Sequence, residues 1–81
     1  MKLSIYSLQS TLFEGEVESL TLPTTTGEIT VLDNHLPLIS LVKPGEVHYT
    51  HFGTKKAVKL AGGVIEIRPG SEAVILAKQD E

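Results

Sequence analysis

Glycine and proline interrupt this chain so often that no long helix fits into it. Breakers recur roughly every eight to ten residues, and no window of about ten residues or more combines a helical apolar stripe with freedom from them. The breakers are Gly15, Pro23, Gly27, Pro37, Pro44–Gly45, Gly53, Gly62–Gly63 and Pro69–Gly70. Short extended segments joined by tight turns remain as the way to build a core.

The intervals between breakers alternate between apolar and polar residues, which is the period of a β-strand. Leu20 and Leu22 fall on the other parity from Val17, so we expect a bulge or a twist near Glu18–Ser19. The pattern predicts an all-β fold, an antiparallel β-sandwich or flattened barrel of about 8–10 short strands. One domain should span residues 1–81. The predicted strands are 2–8, 11–22, 27–32, 37–42, 45–52, 55–61, 63–68 and 72–78.

Composition excludes several classes of protein. Cysteine is absent, so disulfides, thiol catalysis and cysteine-ligated zinc are excluded. The net charge of −3 argues against nucleic-acid binding. No apolar run approaches the ~20 residues of a membrane span, and the first residues do not resemble a signal peptide.

The titratable residues do not converge into a catalytic pattern. His48 and His51 lie three apart in a predicted strand and therefore point to opposite faces. The acidic row Glu14, Glu16 and Glu18 is typical of a strand face that is exposed to solvent. The lysine cluster Lys55, Lys56 and Lys59 is typical of the solvent-exposed end of a hairpin. We expect no catalytic, metal or nucleotide site, no cofactor and no enzymatic activity.

The segment 33–40 is the most informative loop. Asn34 tolerates a left-handed backbone, and His35 is followed by Leu36 and by Pro37, which restricts the backbone of that leucine. Two interpretations are equally supported: a contact surface that offers His35 and an exposed leucine, or a turn whose imidazole bonds to the backbone.

These residues carry a family resemblance that runs from end to end of the chain. The chain resembles the N-terminal β-sandwich of the epsilon subunit of F-type ATP synthase. The resemblance implies a non-catalytic rotor part at the foot of the central stalk, which links the gamma subunit to the membrane c-ring and so couples ion-driven rotation to ATP synthesis. The matching pattern is Phe13-x-Gly15-x-Val17–Glu18, Pro23, Gly27–Glu28, His35-x-Pro37–Leu38–Ile39–Ser40, Leu41-x-Lys43–Pro44–Gly45, Gly62–Gly63 and Pro69–Gly70.

The resemblance also implies two sets of contact residues. The c-ring set is Thr26, Gly27 and Glu28, with Glu28 meeting basic or polar groups on the ring loops. This chain departs from the family where Asn34 and Thr30 replace a frequent glycine and Leu36 a frequent alanine. The gamma-facing set is Ser7, His35, Leu36, Pro37, Leu38 and Ser40.

The resemblance implies a place as well. The domain would be peripheral to the membrane, without inserting into it, at the cytoplasmic face of a bacterial inner membrane or its plastid equivalent. The family commonly continues into a two-helix C-terminal hairpin, and we expect neither that hairpin nor its ATP site here.

Two other classes of function fit the sequence less well. A free-standing β-sandwich that binds a peptide or carbohydrate would need an aromatic platform, and this chain offers few aromatic residues, of which Tyr6 and Phe13 are expected in the core. A jelly-roll enzyme would need histidine and carboxylate ligands from several strands, which His48 and His51 do not supply.

Overall fold

The alternating segments form eight β-strands in the computed structural model, which describes residues 1–79. No helix occurs among those residues, so the all-β prediction is confirmed. The strands are β1 (Lys2–Tyr6), β2 (Thr11–Glu16), β3 (Ser19–Thr24), β4 (Gly27–Val31), β5 (Leu38–Val42), β6 (Gly45–His51), β7 (Thr54–Arg68) and β8 (Glu72–Gln79).

Strand β7 joins the two layers of the sandwich. Its residues 54–60 pair with β6, whereas its residues 63–68 pair with β5 on one side and β8 on the other. We call β2-β1-β8-β7-β5 the β5 layer and β4-β3-β6-β7 the β6 layer, after the strands that β7 meets in each. Each layer buries its inner face against the other.

One strand pair departs from the antiparallel expectation. β1 lies parallel to β8, with Lys2 opposite Glu72 and Tyr6 opposite Leu76, while every other pair among the described strands is antiparallel. Alternation of side chains specifies which face a residue occupies and carries no information on strand direction. The first and last strands therefore meet in the middle of the β5 layer.

Three predictions of strand extent were wrong by more than one residue, each for a local reason. The predicted strand 11–22 is broken at Val17–Glu18, because β2 pairs in the β5 layer and β3 in the β6 layer. The predicted strands 55–61 and 63–68 are one continuous strand, because the chain forms a bulge between Leu60 and Gly62 and then stays paired through Gly62 and Gly63 instead of turning. The first strand ends at Tyr6, since the Ser7 hydroxyl closes a turn by donating to the Ser10 carbonyl at 3.2 Å.

The core lies between the layers and is almost wholly aliphatic. Phe13, expected in the core, is half-buried at its margin, with its ring centroid 4.4 Å from that of Tyr49. Tyr6, also expected there, lies on the outer side of the β5 layer and donates its hydroxyl to Glu14 at 2.9 Å. The largest fully buried side chains are Leu3, Ile5, Leu20, Leu22, Leu60, Ile65, Ile75, Val31, Val47 and Thr24.

Packing next to the bulge of β7 requires a glycine at position 63. A Cβ added to Gly63, at φ 152°, would overlap the carbonyl oxygen of Leu76 in the neighbouring strand β8. Because the obstacle is backbone, the overlap is relieved only by moving β8 away from β7. Gly27, at φ 123°, has no atom within 4 Å of the same added Cβ.

We therefore expect Gly63→Ala to lower the free energy of unfolding by about 3 kcal/mol or more, from steric overlap added to backbone strain. Gly27→Ala carries only the strain and should cost about 1 kcal/mol. Urea unfolding followed by circular dichroism measures both. Equal losses in the two variants would contradict the assignment of a close strand contact at Gly63.

Candidate functional site

The outer surface of the β5 layer is apolar, unlike most strand surfaces that face water. Ile39 is 73% exposed, Leu41 57% and Leu76 59%. Strand register places Leu41, Val64, Leu76 and Tyr6 in one row across four strands. We call Tyr6, Ile39, Leu41, Val64, Val74 and Leu76 the apolar face. Contiguous exposed apolar side chains of this kind mark contact surfaces.

A shallow groove of about 310 Å³ runs over the apolar face, and charged residues border one end of it. Arg68 donates its Nε–H to Glu66 at 3.0 Å, and its guanidinium lies 3.6 Å from Glu72. The bond to Glu66, with its charge, holds the pKa of Arg68 above its ordinary value, and Glu72 adds to this. The floor of the groove is thus apolar, and one end is bordered by charged side chains that already pair with one another. We call Glu66, Arg68 and Glu72 the Arg68 cluster.

The outer surface of the β6 layer is polar instead. Thr21 and Thr30 share a hydrogen bond between hydroxyls at 3.1 Å, and Ser19 donates to Thr50 at 3.4 Å. His48 is exposed there, 3.6 Å from Glu46. The two outer surfaces therefore differ in chemistry, and among residues 1–78 the contiguous exposed apolar side chains lie on that of the β5 layer.

The prediction that His48 and His51 point to opposite faces of their strand is confirmed. His48 faces water, whereas His51 is half-buried on the other face, with its ring edge against Phe13 at 5.3 Å between centroids. Nδ1 of His51 hydrogen-bonds to the carbonyl of Glu16. Among residues 1–79, no group of three or more histidine, cysteine, aspartate or glutamate side chains is arranged to hold a metal ion.

The β4–β5 loop, residues 32–37, combines both interpretations of its sequence. Nδ1 of His35 lies 2.7 Å from the carbonyl oxygen of Leu36, and the His35 amide donates to Leu32 at 3.2 Å. Leu36 is nevertheless 78% exposed, and Asn34 adopts the expected left-handed backbone at φ 65°. The imidazole is bonded to backbone while the next side chain stands in water.

The structure does not bring all of the expected gamma-facing residues together. His35, Leu36, Pro37 and Leu38 lie at the end of the β5 layer where β5 begins. Ser7 follows Tyr6 at the opposite end of the layer, and its hydroxyl bonds within the Ser7–Ser10 turn. Ser40 is half-buried, on the inward parity of Leu38 and Val42. Ser7 and His35 therefore occupy diagonal corners, with the apolar face between them.

The expected ring-facing residues lie in the β3–β4 turn, which is held from within by Thr24. The Thr24 side chain is buried, donates to the Gly27 carbonyl at 2.6 Å and accepts the Thr26 amide at 3.3 Å. Thr26, Gly27 and Glu28 are exposed. Sequence reasoning missed Thr24, although the hydroxyl of a threonine before a turn often hydrogen-bonds to the backbone two residues further on.

Sequence reasoning also missed the ammonium group of Met1. The Met1 side chain is buried, and the ammonium group donates to the Val17 carbonyl at 3.1 Å. It lies 2.8 Å from the Asp33 carboxylate and 3.2 Å from that of Glu16. The bond to Asp33 is the largest cause that raises its pKa above 8.0, with Glu16 adding and burial opposing.

Comparison with known proteins connects these features to a family. A family model described as the ATP synthase delta/epsilon chain β-sandwich domain matches residues 1–81. The ATP synthase epsilon chain of Bordetella petrii is 34% identical over 76 residues, covering 93% of this chain and 54% of the relative. That of Aquifex aeolicus is 35% identical over 79 residues, covering 98% and 58%. The chain thus spans little more than half the length of these relatives.

Solved structures support the fold. A chain of the Euglena gracilis mitochondrial ATP synthase structure "OSCP/F1/c-ring in rotational state 1" superposes with a TM-score of 0.86 at 22% identity, covering 93% of this chain and 48% of that one. A chain of the Tetrahymena thermophila mitochondrial ATP synthase central stalk and c-ring gives 0.81 at 10% identity, covering 96% and 63%. No helix among residues 1–79 is long and apolar enough to span a membrane.

The Met1 ammonium predicts a pH dependence of stability. Because its pKa is raised in the folded state, its contribution is complete below pH 8 and is lost as pH rises through the folded pKa. We expect Asp33→Asn to reduce the free energy of unfolding by about 0.5–1 kcal/mol near neutral pH and by less near pH 9.5. Thermal unfolding at the two pH values measures this. An equal loss at both would contradict the ion pair; the test stays below pH 10 because burial raises the pKa of Tyr49 above 10.0.

Proposed function

Because this chain belongs to the family of ATP synthase delta/epsilon chain β-sandwich domains, we propose that residues 1–81 form a single epsilon-type domain of the rotor. The domain is a non-catalytic part of the central stalk. It links the gamma subunit to the membrane c-ring, so that ion-driven rotation of the ring reaches the catalytic head and drives ATP synthesis. It needs no cofactor for this task.

The observation that carries the proposal is the apolar face between the candidate gamma residues. Ser7 and His35 mark two corners of the β5 layer, and a partner that touches both must cross the apolar face. Ile39, Leu41 and Leu76 supply the exposed apolar area that a stable contact with gamma needs. The Arg68 cluster and the β4–β5 loop form the polar margin of this contact.

The ring contact in this proposal is small and polar. Thr26, Gly27 and Glu28 lie at the end of the sandwich away from the His35 loop, on a turn stiffened by buried Thr24. Glu28 meets polar or basic groups of the ring loops, and such a wet contact sets register more than affinity. The two partners therefore contact separate parts of the domain.

The proposed location follows from the assembly. The domain is peripheral, attached to the membrane through the c-ring at the cytoplasmic face of a bacterial inner membrane or its plastid equivalent. The matched relatives from Bordetella petrii and Aquifex aeolicus support the bacterial setting, while the matched structures are mitochondrial.

Gamma binding tests the apolar face. Ile39→Glu places a charge at the groove without removing core packing, because Ile39 is 73% exposed. We expect the affinity for gamma from the same source to fall at least about tenfold, since a carboxylate buried in an apolar contact lacks a partner. Titration calorimetry on the complete chain measures this.

A matched control lies on the other layer. Ala57 is exposed in β7, opposite His48 on the polar outer surface of the β6 layer. Ala57→Glu should leave gamma affinity within about twofold of wild type. If wild type itself fails to bind gamma at low salt, the rotor proposal is wrong and a free-standing binding module takes its place. Equal losses in both variants would remove the apolar face from the contact.

Glu28 tests the ring contact separately. We expect Glu28→Gln to weaken binding of the gamma-bound domain to detergent-solubilised c-ring by about two- to fivefold at low salt, because a rim charge contributes little. The effect should shrink at high salt. Gamma affinity measured in parallel should not change. An unaltered ring affinity at low salt would exclude Glu28 from the ring contact.

A further inference from the structure

We propose that Ser71 is a positioning residue that holds the β4–β5 loop in the shape gamma recognises, an inference that rests on the proposed function. Ser71 lies in the turn between β7 and β8, and its hydroxyl contacts the loop that carries His35. No feature of the sequence near His35 points to it, since the two segments are 37 residues apart.

The Ser71 hydroxyl and Asn34 form a reciprocal pair. The backbone N–H of Asn34 donates to Oγ of Ser71 at 3.0 Å, and the Ser71 hydroxyl donates to Oδ1 of the Asn34 side chain at 3.4 Å. One hydroxyl thus satisfies both the backbone and the side chain of Asn34. The carbonyl of Ser71 accepts the Lys2 amide at 3.0 Å, which ties the same residue to the first strand.

Backbone conformation indicates that the hydroxyl is the reason for a serine here. Ser71 has φ 57° directly after Gly70 at φ 85°, and a left-handed backbone favours glycine. Asn34, its partner, is left-handed too, at φ 65°. If the turn served only to reverse the chain, glycine at position 71 would relieve the backbone strain. Glycine would, however, lose the hydrogen bond to the β4–β5 loop.

The pair determines where His35 and Leu36 stand. Asn34 is the residue directly before His35, so fixing its amide and side chain fixes the entry into the exposed segment. Asp33 is held on the other side by the Met1 ammonium at 2.8 Å. Two neighbouring anchors leave the loop little freedom to lose on binding, and such preorganisation raises affinity.

Ser71→Gly separates positioning from stability. Glycine relieves the left-handed strain and removes the hydroxyl, so the melting temperature should stay near that of wild type while gamma affinity falls about five- to tenfold. The control is Phe52→Gly, which relieves the same strain at φ 49° in the β6–β7 hairpin, outside the loop and the apolar face. Its affinity for gamma should stay within about twofold of wild type.

A double-mutant cycle gives a readout that a structural role would not produce. If Ser71 acts through the loop, Ser71→Gly should cost less than about twofold when Leu36→Ala has already weakened the loop contact. Hydrogen exchange of the Asn34 amide in the free chain should quicken in Ser71→Gly. Additive losses in the cycle, or unchanged exchange at Asn34, would overturn the inference.

The two proposals fail in different ways. Absence of gamma binding by wild type would refute the rotor proposal, while exchange at Asn34 still tests whether Ser71 orders the loop. Gamma binding by wild type with an equal affinity for Ser71→Gly would refute only the role of Ser71.

Discussion

The close approach of β7 and β8 at Gly63 is the contact on which the sandwich depends. There is no room for a side chain between position 63 and the carbonyl of Leu76. Because Gly63 has none, β8 stays paired with β7 where β7 passes from the β5 layer to the β6 layer. The same strand then continues as part of the β6 layer beside β6. One continuous strand thus belongs to both layers, which are also joined by the pairing of β3 with β5 at Thr24 and Val42. A bulge, which keeps the ladder, does this where a loop would not.

The two outer surfaces show how the fold divides its tasks. The hydroxyl pairs of the β6 layer, such as Thr21 with Thr30, satisfy that surface without a partner. The apolar face of the β5 layer leaves Ile39 and Leu76 in water, and the proposed contact with gamma would remove that apolar area from water. Both surfaces are built on the same pleat, so the difference comes from side-chain choice alone.

Side-chain alternation predicted the faces of strands well and their neighbours poorly. The buried positions of β3 and β6 follow from period two, as does the opposite orientation of His48 and His51. Strand order is a property of pairings between distant segments, and the parallel pair of β1 and β8 has no local signal. For this reason the diagonal placement of Ser7 and His35 could not be predicted, nor could the bond from Ser71 to Asn34.

The separation of the candidate contacts has a mechanical consequence for the proposed rotor. The β3–β4 turn and the His35 loop lie at opposite ends of strands whose hydrogen-bonded ladders run between them. A lateral force applied at Glu28 reaches Leu36 through paired backbone and close-packed aliphatic side chains, which deform little. Compliance is then concentrated in the end turns. Hydroxyl groups of Thr24 and Ser71 bond to backbone in these two places, and in the proposed rotor they would stiffen the turns through which torque passes.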